Sequence, residues 1–416
     1  MTTMHSATLA INEAVLARRA RGERVLHLGF GEAGLPVLPS IQNALAEHAH
    51  RNGYGPVVGA PHVRAQAAGW FARRGLPTEA DQVIFAPGSK ALLFAGLASL
   101  PGDLVLPTPS WVSYAAQAAL LGKRTIPVPI SAPAGGVPEP EQLRSRLREA
   151  VQAGREPGVL VLTVPDNPTG TVASWAQLQE IAQIAEHYGL AVISDEIYAS
   201  VVHSGQQSPS IAELLPDRVI VTTGLSKSLA LGGWRIGYAR IPATEWGRAV
   251  HQRIVGVASE VWSGLAAPQQ EAAGFVLSDA PEVLAHIEQS TRLHATVAAA
   301  VYEEFAQVGA VARPPAAGFY LYPDFEPQRE RLAARGITTG TELARVLLND
   351  HGVGVLAGAA FGDDDRRVRA RVATSLLYGS TEEERWAALG STDPLNLPWT
   401  AEALDHLREA LTALLR

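Results

Sequence analysis

Side chains that can bind a ligand or take part in catalysis follow directly after four predicted buried strands of this chain. Each of these strands is a short apolar run, and each is followed by a polar or aromatic residue. Because the carboxyl ends of parallel strands meet at one edge of a sheet, and ligands bind just outside that edge, these side chains are expected to share one crevice. The residues concerned are Trp111, Asn167, Asp195 with Tyr198, and Lys227.

This set of residue types suits the chemistry of pyridoxal phosphate. A lysine can form an imine with an aldehyde, and a carboxylate can keep a ring nitrogen protonated. Lys227 and Asp195 would supply these functions, and the protonated ring would draw electrons from the α-carbon of an amino acid. Asn167 and Tyr198 can hydrogen-bond the ring hydroxyl, and Trp111 offers a flat face for stacking. We therefore expect Lys227, Asp195 and Tyr198 to be the catalytic residues.

The phosphate group requires its own binding site, and three segments can provide one. Ser89 and Lys90 open a predicted helix, whose free backbone N–H groups favour an anion. Ser226 precedes the lysine, and Arg235 lies in a glycine-rich turn a few residues later. An arginine together with helix N-terminal amides suits a dianion. We predict that these four residues bind the cofactor phosphate.

An alternation of apolar runs and helical patterns must position these residues. Seven runs are apolar on both faces, which is typical of parallel strands covered by helices on both sides of a sheet. The later part of the chain has longer helical patterns and a short strand near 319–322. The predicted fold class is α/β, with a mostly parallel seven-stranded sheet in a large domain and a smaller α+β domain. The predicted strands of the sheet cover residues 83–86, 104–106, 125–128, 159–164, 191–194, 219–223 and 237–241.

Three segments are distinguished along the chain. Residues 1–45 are predicted to form an N-terminal arm that packs with the small domain, residues 46–279 the large cofactor-binding domain, and residues 280–416 the small domain. At 416 residues the chain is longer than one hydrophobic core usually organises, which favours two domains. Residues 131–140 are rich in Pro, Gly and Ala and are interpreted as a surface loop.

Composition argues against several other classes of protein. The formal net charge of -7 disfavours nucleic-acid binding, and the longest apolar run, residues 91–100, is too short to span a membrane. The absence of cysteine removes disulfides and thiolate chemistry. The scattered histidines and the acidic stretch 363–365 indicate no metal site, and the chain is interpreted as cytoplasmic. Residues 29–34 fit a dinucleotide-binding fingerprint, but the prolines that follow oppose the helix this motif requires.

Five motifs along the chain share their order and spacing with those of a known family. The motifs are Tyr54-Gly55 with Gly59, Asn-Pro-Thr-Gly at 167–170, Asp-Glu-Ile-Tyr at 195–198, Ser226-Lys227 followed by Gly-Trp-Arg-Ile-Gly-Tyr at 233–238, and Phe361-Gly362. On these residues the chain resembles the class I/II aminotransferases, the fold type I group of pyridoxal-phosphate enzymes. The resemblance extends from about Leu28 to Ser375. Any one motif is weak, whereas five in order are specific.

The resemblance implies further site residues and an assembly. Tyr54 would reach the cofactor phosphate of the neighbouring subunit, so the protein would be a homodimer with shared active sites. Gly31 and Asn167 would lie along the substrate, and Arg369 would bind its α-carboxylate through two parallel hydrogen bonds. Arg371 stands where the family usually has serine, and it would face the same side of a strand as Arg369. The alternative is therefore that Arg371, two residues further on, is the arginine that binds the α-carboxylate.

The activity implied by the resemblance is ping-pong transfer of an amino group between an L-amino acid and a 2-oxo acid through a Schiff base on Lys227. One alternative is elimination, substitution, cyclisation or oxidation of an amino acid on the same scaffold. At 33–35 the sequence departs from the family's usual residues, and an apparent insertion lies at 379–398. These differences leave the alternative reactions open. A non-catalytic pyridoxal-binding module is disfavoured, because the lysine is present and few residues precede Leu28. Glu260 is interpreted either as a contact to a cationic substrate or as a surface carboxylate.

Overall fold

The alternation of strands and helices is that expected from the apolar runs. The computed structural model describes residues 7–130 and 136–416, so residues 131–135 of the predicted loop at 131–140 lie outside the described residues. Within these ranges the chain forms twelve strands and fourteen α-helices. The strands are β1 Leu26–His27, β2 Val83–Pro87, β3 Asp103–Thr108, β4 Thr125–Pro129, β5 Pro157–Thr163, β6 Ala191–Asp195, β7 Val219–Gly224, β8 Ile236–Arg240, β9 Tyr320–Leu321, β10 Val353–Gly354, β11 Leu356–Ala357 and β12 Ala370–Ala373.

The helices begin where local sequence favours a helix start. Several have proline in the first turn, where its missing N–H costs no intrahelical bond. Others are capped by Ser174, Thr339 or Thr381, each paired with a Gln or Glu three residues on. The helices are α1 Ala7–Ala20, α2 Pro39–Glu47, α3 Pro61–Ala72, α4 Ser89–Ser99, α5 Val112–Leu120, α6 Pro140–Gln152, α7 Trp175–His187, α8 Glu245–Val261, α9 Ala267–Leu277, α10 Pro281–Gln307, α11 Arg329–Ala333, α12 Gly340–His351, α13 Glu382–Gly390 and α14 Pro398–Leu414.

The central sheet confirms the predicted fold class. The described residues form seven strands in the order β2-β8-β7-β6-β5-β3-β4. All neighbouring strands are parallel except β8, which runs antiparallel to both β2 and β7. The carboxyl ends of β3, β5, β6 and β7 therefore meet at one edge, which is where an open α/β sheet binds its ligand.

Both faces of this sheet are buried, as the continuous apolar runs predict. Along β5, Leu160 and Leu162 pack in one hydrophobic cluster with α7, whereas Val159 and Val161 pack in another with α4. This alternation follows from the two-residue period of a strand. Each such buried aliphatic side chain contributes about 1.5–3 kcal/mol of transfer free energy. The strand ends that hold the predicted site residues therefore belong to a sheet that is tightly packed on both faces.

A third hydrophobic cluster joins the chain's beginning to its C-terminal part. Leu26, Leu28 and Leu35 pack there with the apolar faces of α10, α12 and α14. Strand β1 pairs in parallel with β10, and β12 lies between β11 and β9 in an antiparallel sheet. The apparent insertion at 379–398 contains α13, which packs on α10.

Among the helices of the described ranges, none is both long enough and apolar enough to cross a membrane.

Candidate active site

A cavity of about 440 Å³ opens at the carboxyl edge of the central sheet. The loops that follow β3, β5, β6 and β7 contribute to its walls, together with the N-terminus of α4. Two of the predicted site residues, Tyr54 and Arg369, do not line it. The predicted residues that line it are Gly31, Ser89, Lys90, Trp111, Asn167, Asp195, Tyr198, Ser226, Lys227 and Arg235.

Asp195 ends β6 with its carboxyl group buried in the cavity wall. Burial raises the pKa of Asp195 to about 6, although the hydrogen bond from Tyr114 and the nearby charge of Lys227 act to lower it. The Tyr114 hydroxyl donates to Oδ2 at 2.8 Å. Oδ1 is buried and has no hydrogen-bond partner within residues 7–130 and 136–416. A buried acceptor of this kind suits a protonated ring nitrogen.

Tyr114 is a site residue that the sequence analysis missed. It lies in the first turn of α5, three residues after Trp111, and its ring meets that of Trp111 edge-on at 5.3 Å. Its hydroxyl lies 2.8 Å from Thr163 Oγ1 as well as from Asp195. Residues three apart share one face of a helix, so the spacing from Trp111 was the available signal. Tyr114 therefore fixes the orientation of the Asp195 carboxyl group.

Lys227 reaches the cavity from the loop after β7. Its Nζ donates to the Gly31 carbonyl at 2.5 Å. The same nitrogen lies 6.0 Å from the ring centre of Tyr198 and 5.9 Å from that of Phe319. The hydrogen-bond partner of the Lys227 amine is thus a neutral carbonyl group, and the two aromatic rings confine the amine near Asp195. This placement suits an amine that must reach an aldehyde carbon.

Tyr198 and Asn167 face the cavity from neighbouring strand ends. Burial raises the pKa of the Tyr198 hydroxyl well above its usual range, and Tyr320 raises it further as long as Tyr198 donates its proton to Tyr320. The hydroxyls of Tyr198 and Tyr320 are 2.8 Å apart. Asn167 is buried, and its Oδ1 lies 3.4 Å from Nη1 of Arg371. Tyr320 also lines the cavity, and the sequence analysis did not single it out.

The predicted phosphate-binding residues are brought together at the start of α4. Gly88 has a φ of 87°, and a Cβ built there would lie 2.4 Å from Arg235 Nη2. Arg235 itself has a φ of 55° and donates to the Gly232 carbonyl. Glycine at 88 thus leaves the space that lets the guanidinium approach the helix N-terminus. The backbone amides, Ser226 and Arg235 form a concave cationic cradle that suits a phosphate dianion.

Lys90 and Trp111 form the adjoining wall. The Lys90 Nζ lies 5.0 Å from the centre of the Trp111 ring. Burial lowers the pKa of Lys90, as do the positive charges of Arg235 and Lys227. Trp111 directly precedes α5, makes no capping hydrogen bond with its side chain, and lines the cavity with its ring. The wall is therefore positively charged next to a half-buried aromatic ring.

The structure places Arg369, the residue that the resemblance implies for the substrate α-carboxylate, outside the described cavity. Its guanidinium donates to Asp324 at 2.7 Å and to Asp363 at 3.1 Å. Strand β12 begins only at the next residue, so Arg369 lies at the strand's entrance, where these two carboxylates bind it. The acidic stretch 363–365 likewise binds arginine and caps α12 through Asp365.

Arg371 occupies the cavity in place of Arg369. It is 1% exposed and donates to the Gly29 carbonyl at 2.6 Å. Its guanidinium carbon lies 4.9 Å from the Tyr320 ring centre and 5.0 Å from that of Phe361. Its Nε is buried with no partner in the described part of the chain. Burial lowers the pKa of Arg371. A desolvated guanidinium held between two rings is ready to bind a carboxylate.

Two residues with predicted roles lie on the surface of this chain. The Tyr54 side chain is 99% exposed, in a loop before α3. Glu260 is exposed near the end of α8 and does not line the cavity. In this single chain neither residue contacts the site.

The fold and the cavity define a class of enzyme. A buried unpaired carboxylate oxygen, a lysine amine and a cationic cradle at one sheet edge are the groups required to hold pyridoxal phosphate. The family model for "Aminotransferase class I and II" matches residues 23–376. The chain belongs to this family, and it is an aminotransferase by class.

Individual relatives agree with this assignment. Aspartate aminotransferase from Geobacillus stearothermophilus is 31% identical over 91% of this chain and 95% of its own length. A probable aspartate/prephenate aminotransferase from Thermus aquaticus is 29% identical over 82% of this chain and 89% of its own. Among solved structures, aspartate aminotransferase from Thermus thermophilus with maleate is 25% identical, with a TM-score of 0.82 over 98% of this chain and 97% of that one.

Proposed function

We propose that this aminotransferase binds pyridoxal phosphate in the described cavity and uses Lys227 to hold it covalently. When bound, the cofactor supplies an electron-withdrawing ring that stabilises negative charge at the substrate α-carbon. The observation that carries the proposal is the unpaired Oδ1 of Asp195 in the same cavity as the Lys227 amine. Asp195 would hold the ring nitrogen protonated, and Tyr114 would keep the carboxyl group oriented for this contact.

The chain's own residues divide the remaining tasks. Once the substrate amine has taken its place on the cofactor, the Lys227 Nζ would be a free amine near the Gly31 carbonyl and would take up the α-proton of the substrate. Arg235 and Ser226, with the amides at the start of α4, would bind the phosphate. Tyr198 and Asn167 would hydrogen-bond the ring hydroxyl oxygen. Lys90 would add positive charge at the same end of the cavity, and the Ser89 hydroxyl would add a hydrogen-bond donor.

We assign the substrate α-carboxylate to Arg371 rather than to Arg369. The guanidinium of Arg369 already pairs with two carboxylates, whereas Arg371 faces the cavity with an unpaired Nε. Asn167 Oδ1 and the Gly29 carbonyl accept hydrogen bonds from Nη1 and Nη2 of Arg371, which leaves Nε and the second N–H of each Nη for the substrate. Two parallel hydrogen bonds to a carboxylate would then fix the amino acid beside Gly31.

We further propose aspartate as amino donor and a 2-oxo acid as acceptor, since aspartate is named in the relatives' descriptions. The proposed assembly is a homodimer. Its support is Tyr54, a large side chain that is almost fully exposed here and would be covered by a neighbouring subunit.

Incubation of the purified protein with aspartate, 2-oxoglutarate and pyridoxal phosphate tests the proposed reaction. Formation of glutamate and oxaloacetate in equal amounts supports transamination, whereas ammonia or a cyclised product would support the alternative fates of the amino acid. In parallel, Lys227→Ala should lose the visible absorbance that the cofactor gives with wild type. Retention of that absorbance by Lys227→Ala would refute the role of Lys227.

A further inference from the structure

Tyr320 stands directly behind Tyr198 in the cavity wall. It lies on β9, in the sheet that also contains β12, whereas Tyr198 follows β6 of the central sheet. Their hydroxyl oxygens are 2.8 Å apart, and their rings are nearly perpendicular with centres 5.5 Å apart. Both side chains are almost completely buried. The contact therefore joins two parts of the fold at the cofactor-facing tyrosine.

The position of the Tyr320 hydroxyl is fixed from several sides. A Cβ built on Gly31 would lie 2.2 Å from this hydroxyl, so glycine at 31 leaves the space it occupies. The guanidinium of Arg371 lies on the Tyr320 ring, 4.9 Å from its centre. A tyrosine hydroxyl held in this way cannot swing to another partner without moving Gly31 or Arg371.

The Tyr320 hydroxyl has one proton and two nearby acceptors. Tyr198 Oη lies at 2.8 Å, whereas the Gly31 carbonyl lies at 3.5 Å, which is the limit of a useful hydrogen bond. When Tyr198 donates its own proton to a ligand in the cavity, its oxygen is free to accept the Tyr320 proton. Two hydrogen bonds in series polarise each other, so the outer bond strengthens the inner one.

We propose that Tyr320 is a positioning residue that acts on the cofactor through Tyr198, an inference that rests on the proposed function. The hydrogen bond from Tyr320 holds the Tyr198 oxygen in place and makes Tyr198 a stronger donor to the ring hydroxyl oxygen. Stronger donation withdraws electron density from that oxygen, which then stabilises a proton on the nitrogen of Lys227 less well. Tyr320 would thus lower the pH at which the Lys227 nitrogen, when joined to the cofactor, loses its proton.

The other charged groups around Tyr198 are unchanged when only the Tyr320 hydroxyl is removed. They are Asp195 from the end of β6, Lys227 from the loop after β7 and Arg371 from β12. Tyr320→Phe keeps the ring on which Arg371 stacks. The substitution therefore isolates the hydroxyl.

The experiment is a pH titration of the visible absorption of the cofactor-loaded enzyme. Tyr320→Phe should raise the midpoint by roughly half a pH unit, the size expected for loss of polarisation in a charge-assisted hydrogen bond. Tyr198→Phe should raise it further, and adding Tyr320→Phe to Tyr198→Phe should give no additional shift. Tyr322→Phe is the matched control, because the Tyr322 hydroxyl donates to Asp363 instead, and it should leave the midpoint unchanged.

An unchanged midpoint in Tyr320→Phe overturns the inference. An equal shift from Tyr320→Phe in the wild-type and Tyr198→Phe backgrounds also overturns it, because Tyr320 would then act independently of Tyr198. Failure of the proposed function itself would look different. Either the wild-type protein would show no pH-dependent absorption band, or Lys227→Ala would retain that band. In that case the role of Tyr320 falls with the function.

Discussion

Replacing Arg371 with lysine should impair amino-acid binding far more than the same replacement at Arg369. Arg371 is buried, anchored by the Gly29 carbonyl and held between two rings, so its guanidinium plane is fixed. Lysine keeps the positive charge but cannot present two parallel donors to a carboxylate. A hydrogen bond to a charged group contributes about 1.5–3 kcal/mol, so losing one or two should lower kcat/KM for aspartate by roughly 100-fold.

Arg369 offers a matched control two residues away. Its side chain is 25% exposed and pairs with Asp324 and Asp363. Arg369→Lys should lower the free energy of unfolding by about 1 kcal/mol or less and leave kcat/KM nearly unchanged. Steady-state kinetics with aspartate and 2-oxoglutarate, together with thermal unfolding of both variants, give the comparison. A larger loss of kcat/KM in Arg369→Lys than in Arg371→Lys would refute the reasoning.

Three further predictions concern protons and subunits. Tyr114→Phe removes a hydrogen-bond donor to Asp195, so the Asp195 pKa of about 6 should rise by roughly one unit. Fewer molecules would then carry an ionised Asp195 at pH 6, whereas almost all would still do so at pH 8. The affinity for pyridoxal phosphate, measured by fluorescence titration, should therefore fall about fivefold at pH 6 but little at pH 8. Burial raises the pKa of Glu196 to about 7, so the folded protein binds a proton that the unfolded chain has lost above about pH 4.5. Stability from this group therefore falls by roughly 3 kcal/mol between pH 4.5 and 7, and Glu196→Gln should flatten that decline in urea unfolding. Lys227→Ala and Tyr54→Ala, each inactive alone, should regain activity when their subunits are mixed, because a hybrid dimer contains one intact site.

Each of these predictions has a result that contradicts it. An affinity loss in Tyr114→Phe that is equal at pH 6 and pH 8 would show that the Asp195 carboxyl group is not the titrating partner. An unaltered pH dependence of unfolding in Glu196→Gln would place the decline elsewhere. Absence of activity in the mixed subunits, with exchange verified by mass, would count against a shared site.

Local sequence predicted the parts of the site that depend on strand ends. Asn167, Asp195 and Lys227 each follow a run that is apolar on both faces, and parallel pairing brings such strand ends to one edge regardless of the details of packing. The central strands were predicted within a few residues for the same reason. The domain boundaries at 45 and 279 and the cytoplasmic location stay predictions.

Contacts between distant segments were not predictable from the sequence. Arg369 and Arg371 share one face of a strand by its two-residue period, so alternation cannot tell which one enters the cavity. The choice depends on Asp324 and Asp363, which approach Arg369 from other segments. Tyr320 was missed for the same reason, since only the tertiary fold brings β9 beside Tyr198.

The carbonyl groups of Gly29 and Gly31 accept hydrogen bonds from the two basic side chains on which the proposed chemistry depends, Arg371 and Lys227. Main-chain oxygens are present whatever side chain the position carries, so a scan of amino-acid substitutions cannot delete either contact. Such a scan would report these positions only through steric effects and would overlook their electrostatic contribution. Replacing the following amide with an ester, which weakens the carbonyl as an acceptor, is the chemical change that would reveal it. The anchoring of both side chains thus depends on the path of the main chain rather than on residue identity.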